Sequence, residues 1–576
     1  MRKLLRGAGA VWVALLTVSA PAWAELPYQR HGWTSEQAAA HLLSRFTYGA
    51  EPGQVKAVAK AGLEEWLTQQ LKGTETASAL ASKLAALPPA YRMSNAEIVA
   101  HFPPPGKLRK MAGVEGEPNS PDSRAKLAEY RKQQELGTPK ELGVVLFAQR
   151  LYHARYAQSQ VQEVMTDFWF NHFNVSTTNN RARPFILSYE RDAIRPNALG
   201  SFRTLLGKTA KHPAMLWYLD NATSTAGAEA TTTMEPENPK AQQRLQKRKK
   251  GLNENYAREL LELHTLGVDG GYTQSDVTQA ARVLTGWTAV PYENAKAAAA
   301  RRGFQREGDF VFAAPLHDAG AKTVLGQNFP AGGGQEEGER LLDLVATHPS
   351  TAKHIARKLA VRFLSDQPSQ QTVDSLAATF QQSQGDSKAL ILAIARTDEF
   401  WEEGQRASKI KSPLELVVSA ARILGADLEP TAQLFDQLAD MGQPLFGYQA
   451  PTGFPDRADA WISSGTVLAR MNFGLTAARG DLLGFSYTVP KTGGLEDVIT
   501  RLLPALDPAP VKEKLEPVLA NLDTMTFEKP KRPAGRGNLG GKLPGQQVSL
   551  KKLPPELRHY ATLIGLVLGS PDFQRK

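Results

Sequence analysis

The chain is 576 residues long, contains no cysteine and carries a formal net charge of +10. Without cysteine, disulfides and thiolate metal sites are excluded, so stability has to come from a hydrophobic core, which a chain of this length can build. The positive charge suits an anionic polymer as partner, although part of it is concentrated in residues 244–250. Because that basic run lacks the structured face and stacking aromatics of a nucleic-acid site, we do not expect nucleic-acid binding.

Residues 1–24 have the pattern of a secretory signal peptide. A basic start is followed by an apolar run over residues 8–19 and by small residues at Ala22 and Ala24. The apolar run is shorter than the roughly 20 residues that a membrane helix needs, and no later stretch reaches that length. We therefore predict export to the periplasm or the extracellular space and no transmembrane segment. An uncleaved membrane anchor is the alternative.

Apolar residues recur at helical spacing through most of the mature chain. Thr34 opens the first helix as its N-cap, and helices are predicted over residues 38–46, 55–71, 123–135, 141–158, 348–364, 376–400, 412–424, 458–473 and 554–569. The predicted fold is mainly α, a large multi-helical body over residues 25–528 with long irregular loops. Residues 222–252 have the composition of a disordered insertion and residues 529–552 that of a flexible tract. The final helix, in residues 553–576, is expected to pack back on the body.

Two strand-like runs, residues 310–315 and 322–325, flank the sequence LHDAGA and predict a small β-hairpin. This hairpin would place His317 and Asp318 at its turn. Aspartate beside histidine is common in turns, so a structural role for this pair is at least as favoured as a chemical one.

The first candidate site segment is residues 161–176, where an apolar helical stripe ends at Asn171 and His172. Two polar side chains therefore lie where burial is expected, and buried polar groups need partners. A core histidine that binds a carbonyl oxygen is the structural alternative.

The second candidate segment is residues 253–288, which holds two helices joined by a glycine turn. His264 lies on the inward-facing stripe of the first helix, while Arg258 and Glu262 form an i, i+4 pair on the other side. Gly267 has the position of a C′ glycine. The second helix is predicted to begin with a capping box at Thr273 and to run to Trp287.

These residues resemble the bacterial exported family catalogued as domain of unknown function 1800. The resemblance covers nearly all of the mature chain and rests on FWFNHFNVS at 168–176, HPAMLWYLDN at 212–221, NENYARELLELHTLGVDGGYTQSDV at 253–277, LTGWT at 284–288, HDAGAKTVLG at 317–326, QPLFGYQAPTGFP at 443–455 and LGSPDFQ at 568–574. It implies an α-rich exported protein that is often encoded beside a sulfatase-like protein of the family catalogued as domain of unknown function 1501. It implies no established reaction.

Two classes of function fit this sequence. The first is an enzyme acting on an extracellular or periplasmic polymer, with a general base or metal ligand supplied by imidazole. Its candidate catalytic residues are His172, His264, Glu259, Asn171 and Arg258. Its candidate binding residues are Trp169, Glu254, Tyr256, Glu262, Asp269, Trp287, His317 and Asp318.

These residues do not specify a particular metal or cofactor. Two histidines and a carboxylate can hold zinc or iron. However, the chain has no HExxH pair, and Glu259, Glu262 and His264 lack the spacing of di-iron bundles.

The second class is a non-catalytic binding or chaperone partner of a co-exported sulfatase-like protein. The polar residues would then form a buried network that fixes helix geometry. A third possibility is that all of these polar residues are purely structural and that function lies on another surface. The site hypothesis depends on one geometric expectation, that His172 and His264 face each other across a shared interior.

Overall fold

The computed structural model describes residues 25–73, 77–115, 117, 120–226, 251–290, 303–504, 506–520 and 553–576. The predicted signal peptide, the flexible tract at residues 529–552 and nearly all of the predicted insertion at residues 222–252 lie outside these residues. The two ends of that insertion are neighbours, because the Asn253 backbone N–H donates a hydrogen bond to Ser224 Oγ at 3.2 Å.

Helices make up most of the described chain, as the periodicity predicts. Those before the insertion are α1 (Ser35–Phe46), α2 (Gln54–Ala61), α3 (Leu63–Lys72), α4 (Ser78–Ala85), α5 (Asn95–His101), α6 (Pro105–Met111), α7 (Pro121–Gln133), α8 (Pro139–Tyr156), α9 (Gln160–His172), α10 (Ile186–Ser188), α11 (Phe202–Ala210) and α12 (Pro213–Tyr218). Those after it are α13 (Asn255–Glu259), α14 (Gln274–Val283), α15 (Gln335–Thr347), α16 (Pro349–Phe363), α17 (Gln370–Gln382), α18 (Ser387–Ala395), α19 (Asp398–Trp401), α20 (Pro413–Leu424), α21 (Ala432–Asp440), α22 (Ala458–Trp461), α23 (Ser464–Ala478), α24 (Leu495–Leu502), α25 (Pro508–Ala520) and α26 (Pro555–Gly569). Short 3₁₀ turns connect them at Pro27–His31, Pro89–Arg92, Arg183–Phe185, Arg195–Asn197, Asn221–Thr223, Ala314–Leu316 and Glu403–Gln405.

Two of these helices continue into a π turn. α10 is followed by Tyr189–Ile194, and α13 is followed by Leu260–Thr265, which carries His264. π turns are rare and occur frequently at functional sites.

Local capping explains where several helices begin. Thr34 accepts a hydrogen bond from the Gln37 backbone N–H, and its own N–H donates to the Gln37 side chain, so the predicted N-cap is confirmed. The predicted capping box at Thr273 is present at the start of α14. That helix ends at Val283, however, so the expectation that it runs to Trp287 is wrong. Trp287 instead opens a β-strand.

All β-structure in the described residues is antiparallel and small. β1 (Trp287–Ala289), β2 (Phe304–Glu307) and β3 (Phe310–Ala313) form one sheet in the order β1-β3-β2. β4 (Lys322–Val324) pairs with β5 (Gln327–Phe329), and β6 (Asp427–Leu428) pairs with β7 (Phe485–Ser486).

A small hairpin is therefore present, but the predicted pairing of the 310–315 run with the 322–325 run is wrong. β3 pairs with β1 and β2, and β4 pairs with β5. The reason is turn length: two residues separate β4 from β5, and both, Leu325 and Gly326, have positive φ. Such two-residue turns match the twist of a hairpin and close it with little loss of chain entropy.

The last helix packs closely on α23. A Cβ built on Gly474 in α23 would lie 2.7 Å from the Gly565 carbonyl oxygen in α26, so the two helix backbones approach where both residues lack a side chain. Apolar side chains of α26, among them Val567 and Leu568, are fully buried in the common core. No helix in the described part of the chain is long and apolar enough to cross a membrane.

The α23–α26 crossing gives a first prediction. Gly474→Ala should lower the free energy of unfolding by about 1–3 kcal/mol, because the new methyl group meets backbone that cannot move aside. Gly465→Ala in the same helix is the matched control, since a Cβ there has no neighbour within 4 Å. The control should be neutral or up to about 1 kcal/mol more stable. Urea denaturation measures both, and equal stability of the two variants would contradict the close approach.

Candidate functional site

Polar side chains at the C-terminal end of α9 point in two directions. Asn171 and Asn174 face a loop formed by residues 443–456, which we call the roof loop. His172 faces the π turn that follows α13. Three of the sequence segments that carry the family resemblance therefore meet at this one helix end.

The side-chain amide of Asn171 forms two hydrogen bonds with the backbone of Phe454, as the backbone of a neighbouring β-strand would. Its Nδ2 donates to the Phe454 carbonyl at 2.7 Å, and its Oδ1 accepts from the Phe454 N–H at 2.7 Å. Asn174 Nδ2 donates to the carbonyls of Tyr448 and Ala450 at 3.1 and 2.8 Å. The loop lies so close to α9 that a Cβ on Gly453 would be 2.1 Å from the Asn171 carbonyl oxygen.

His172 and His264 meet in the interior, together with His354, and we call these three residues the histidine core. The ring centroids of His172 and His264 are 6.2 Å apart, and those of His172 and His354 are 6.1 Å apart. His172 and His264 are each 1% exposed. Aromatic rings surround them, with the Phe173 centroid 4.5 Å from that of His172 and 5.2 Å from that of His264.

Two members of the histidine core bind carbonyl groups that the end of a helix leaves free. His172 Nε2 donates to the His264 carbonyl at 3.1 Å, and His354 Nε2 donates to the Leu263 carbonyl at 3.1 Å. A carbonyl only accepts, which fixes the proton of His172 on Nε2 and leaves Nδ1 as an acceptor. Among the described residues, His172 Nδ1 and His264 Nε2 have no hydrogen-bond partner.

Burial keeps these imidazoles uncharged. It lowers the pKa of His172 well below its usual range, that of His264 to about 3 and that of His354 to about 4, and the nearby Lys358 acts in the same direction. Neutral, buried rings hold polar groups at fixed positions, as His172 and His354 do with their carbonyl partners. They are not poised to exchange protons near neutral pH.

The predicted carboxylates lie on the outer side of α13. Glu254 accepts from Thr278 Oγ1 at 2.6 Å and from Gln274 Nε2 at 2.8 Å, and Arg258 Nη2 is 3.4 Å from the Glu254 carboxylate. Glu262 accepts from Tyr272 Oη at 3.2 Å.

Glu259 is partly buried, and burial followed by the charge of Glu262 raises its pKa. Asp269 is exposed, and Tyr256 packs inward with its ring centroid 6.5 Å from that of His264.

Of the remaining predicted residues, Trp169 packs against the histidine core, with its ring centroid 5.5 Å from that of His172, and the others lie elsewhere in the fold. Trp169 is fully buried and donates through Nε1 to the Ala198 carbonyl at 3.0 Å. Trp287 is fully buried against Phe310. His317 Nδ1 donates to the Thr285 carbonyl at 2.9 Å, and Asp318 accepts from Arg282 Nε at 2.7 Å. Within the described ranges, no group of three or more histidine and acidic side chains has the arrangement of a metal site.

A buried cluster of charges on the other side of α9 is not apparent from the sequence. Arg150 of α8 pairs with Asp167 of α9 and with Glu190 of the α10 π turn, its Nη2 being 2.6 Å from Glu190 Oε2. Arg195 bridges Glu190 at 2.7 Å and Glu163 at 3.0 Å. Burial alone would raise the pKa of Glu190, but the two arginines outweigh it and lower the pKa to about 2.

The cluster continues across α16 through Arg362. Arg362 Nη1 is 2.7 Å from Glu415 Oε1 and 3.6 Å from Asp456 Oδ1, and Nη2 is 3.9 Å from Asp167 Oδ2. Arg362 is 4% exposed, and its Nε and Nη2 have no hydrogen-bond partner in the described part of the chain. Two carboxyl groups, from α9 and from the roof loop, thus flank one incompletely bonded guanidinium.

A cavity of about 30 Å³ lies between α9, α16 and the roof loop, and we call it the roof cleft. Its polar lining is Arg150, Asp167, Asn171, Asn174, Arg362, Ser412, Gln443 and Asp456. Burial raises the pKa of Asp167 in spite of the neighbouring arginines. The volume is enough for a water molecule, which needs roughly 10–15 Å³ by this kind of measure.

α16 joins the roof cleft to the histidine core. His354, Lys358 and Arg362 are spaced by four residues and therefore share one helix face. Burial lowers the pKa of Lys358 to about 8, against the opposing charge of Asp456. In the sequence, the available signal was a basic residue at three positions spaced by four, His354, Lys358 and Arg362.

The histidine core predicts a pH dependence of stability. His264 has a pKa of about 3 in the folded chain and roughly 6.5 when unfolded, so the unfolded chain binds the proton first as the pH falls. Stability is then lost through the window from about pH 6.5 down to about 3. His264→Leu should make the loss between pH 7.5 and 5 smaller by about 2 kcal/mol.

Urea denaturation at the two pH values checks this, with exposed His559→Gln as the control that should leave the loss unchanged. An identical pH dependence for His264→Leu and wild type would show that folding does not shift the pKa of His264.

The roof loop gives a further prediction. Asn171→Ala removes both hydrogen bonds to Phe454 and should cost about 1–3 kcal/mol, because a partly buried donor and acceptor of Phe454 lose their partner. Amide exchange in residues 443–456 should accelerate more than in α9 itself. Asn180→Ala is the control, since Asn180 is exposed. Unchanged exchange in the roof loop would mean that other contacts hold it.

Residues 41–575 match the family model described as protein of unknown function, DUF1800. No curated protein and no solved structure matches the chain significantly. The family match includes α9, the π turn with His264 and the roof loop, so the segments that build the histidine core and the roof cleft all lie inside it. The chain belongs to the family catalogued as domain of unknown function 1800.

Proposed function

We propose that the protein is an exported hydrolase acting on a polymer of the cell envelope, with the roof cleft as its active site. The observation that carries this proposal is the pair of carboxyl groups, Asp167 and Asp456, on either side of Arg362 at a cavity that can hold a water molecule. Export is supported by the signal-peptide pattern of residues 1–24.

The two carboxyl groups have different surroundings, as an acid and a base require. Burial raises the pKa of Asp167 against the opposing charges of Arg150 and Arg362, which is the direction required of a group that donates a proton to a leaving group. Asp456 belongs to the roof loop, and its side chain is 22% exposed against 17% for Asp167. As a carboxylate it would take a proton from the attacking water. Pairs of carboxyl groups divided in this way cleave glycosidic bonds.

Aromatic side chains at the roof cleft support a sugar polymer. Phe454 and Trp461 line the cavity, and the ring centroids of Phe454 and Tyr448 are 4.6 Å apart. Aromatic faces offer apolar area to sugar rings while neighbouring polar groups bind hydroxyls. The net charge of the chain favours an anionic polymer.

In this proposal His172 and His264 are positioning residues. They fix the end of α9 against the π turn. Asp167 and Asn171, which share a different face of α9, then meet the roof loop in one geometry. The closed cavity is too small for a sugar ring, so polymer binding requires the roof loop to move away from Asn171 and Asn174.

A second candidate function is a non-catalytic partner of a sulfatase-like protein. The observation that favours it is an exposed apolar surface beside α22 and α23, formed by Ile462, Val467, Leu468 and Met471, which are 37–45% exposed. Apolar patches on a protein surface often mark contacts with other proteins.

Hydrolysis of envelope glycans by the purified protein tests the first candidate. Asp167→Asn and Asp456→Asn should each lower the rate at least 100-fold, because each removes one proton transfer. The matched control is Asp459→Asn, an exposed residue that pairs only with Arg457 among the described residues. Circular dichroism shows whether the variants fold.

Wild-type rates in both aspartate variants would refute the assignment of the roof cleft as the active site. If the wild-type protein cleaves no glycan and the neighbouring sulfatase-like protein co-purifies with it, the second candidate is favoured instead.

A further inference from the structure

A second and larger cavity, of about 100 Å³, lies between α1, α20, α24 and the C-terminal segment. Most of its wall is apolar, from Ala40, Val55, Ile423, Leu502, Leu503, Leu506 and Phe573. It adjoins the charge cluster, because Glu415 lines this cavity and also pairs with Arg362 of the roof cleft. We call it the α1–α20 cavity.

Two hydrogen-bond donors in this cavity wall have no hydrogen-bond partner among the described residues, and a lysine in the same wall contacts an aromatic ring in place of a carboxylate. Tyr48 is 1% exposed, and its hydroxyl has no hydrogen-bond partner among the described residues. The same holds for Arg406 Nε. Lys411 is 8% exposed, and its Nζ lies 3.9 Å from the centroid of the Phe573 ring. No acidic side chain of the described chain comes within 4 Å of Lys411 Nζ.

The acidic groups of the cavity are already engaged. Glu415 accepts from the Ser412 backbone N–H at 2.8 Å and pairs with Lys576 and Arg362. Asp572 lies 3.6 Å from Lys514. The two unpartnered atoms of the wall, Tyr48 Oη and Arg406 Nε, can both donate, and buried donors without acceptors are costly.

We propose that the α1–α20 cavity is a binding site for a small monocarboxylate with an aliphatic body. The carboxylate accepts hydrogen bonds from Lys411 Nζ and Tyr48 Oη, and the aliphatic body packs against the apolar wall. A positive group in the ligand would meet Lys411, Arg406 and Lys576, so a cationic ligand is disfavoured. This site is separate from the roof cleft and does not depend on the hydrolase proposal.

Calorimetry on the whole purified chain tests the site with three probes. Hexanoate should bind measurably. Hexan-1-ol keeps the aliphatic body without the charge, and acetate keeps the charge without the body. Both should bind at least tenfold more weakly than hexanoate, because each supplies only one of the two interactions.

Lys411→Met keeps the length and apolar stem of the side chain and should weaken hexanoate binding at least tenfold. Tyr48→Phe removes only the hydroxyl and should weaken it several-fold, which keeps the test decisive if Lys411→Met fails to fold. Asp167→Asn, in the roof cleft, should bind hexanoate like the wild type.

Several results overturn the proposal. They are no binding of hexanoate at millimolar concentration, equal binding of hexan-1-ol, or unchanged affinity in folded Lys411→Met or Tyr48→Phe. Loss of hexanoate binding in Asp167→Asn would move the carboxylate site into the roof cleft and equally reject the α1–α20 cavity.

Discussion

The fold depends on the pairing of charges that its core has taken out of water. An unpaired buried ion costs several kcal/mol, so any packing of the helical segments that separates Arg150 from Asp167 and Glu190 is disfavoured. Arg362 extends the same requirement to α16 and, through Glu415, to α20. The large apolar core supplies most of the stability, while the charge pairs select one register among the ways in which such a core could be packed.

α9 connects this charge cluster to the rest of the candidate site. One of its faces carries Asp167 and Asn171 to the roof cleft, and its last residue, His172, binds a carbonyl of the π turn after α13. The π turn is tolerated because imidazoles bind the carbonyls at its end. A neutral, buried histidine thus acts here as a rigid donor, and the proposed proton-transfer groups are instead the carboxyl groups of Asp167 and Asp456.

Sequence reasoning reached part of this arrangement. It placed His172 and His264 on inward-facing stripes, and it treated Asn171 as a buried polar group in need of a partner. It did not find Asp167, Arg362 or Asp456, because the three become informative only beside one another, and the basic spacing of α16 does not name the partners of Arg362. It paired the wrong strands around His317, since strand-like composition does not say which neighbour a strand takes, whereas the two-residue turn at Leu325 and Gly326 does.

The amino-acid sequence by itself determined the helical class, the N-caps at Thr34 and Thr273, and membership of the family. Those features depend on periodicity, capping and motifs, which act between residues a few positions apart. Only the tertiary structure decided that Asn171 holds Phe454, that His172 binds the His264 carbonyl, and that Asp167 and Asp456 share one arginine. These contacts join residues about 90 to 290 positions apart, and their energies come from burial and charge at sites that exist only once the helices have packed.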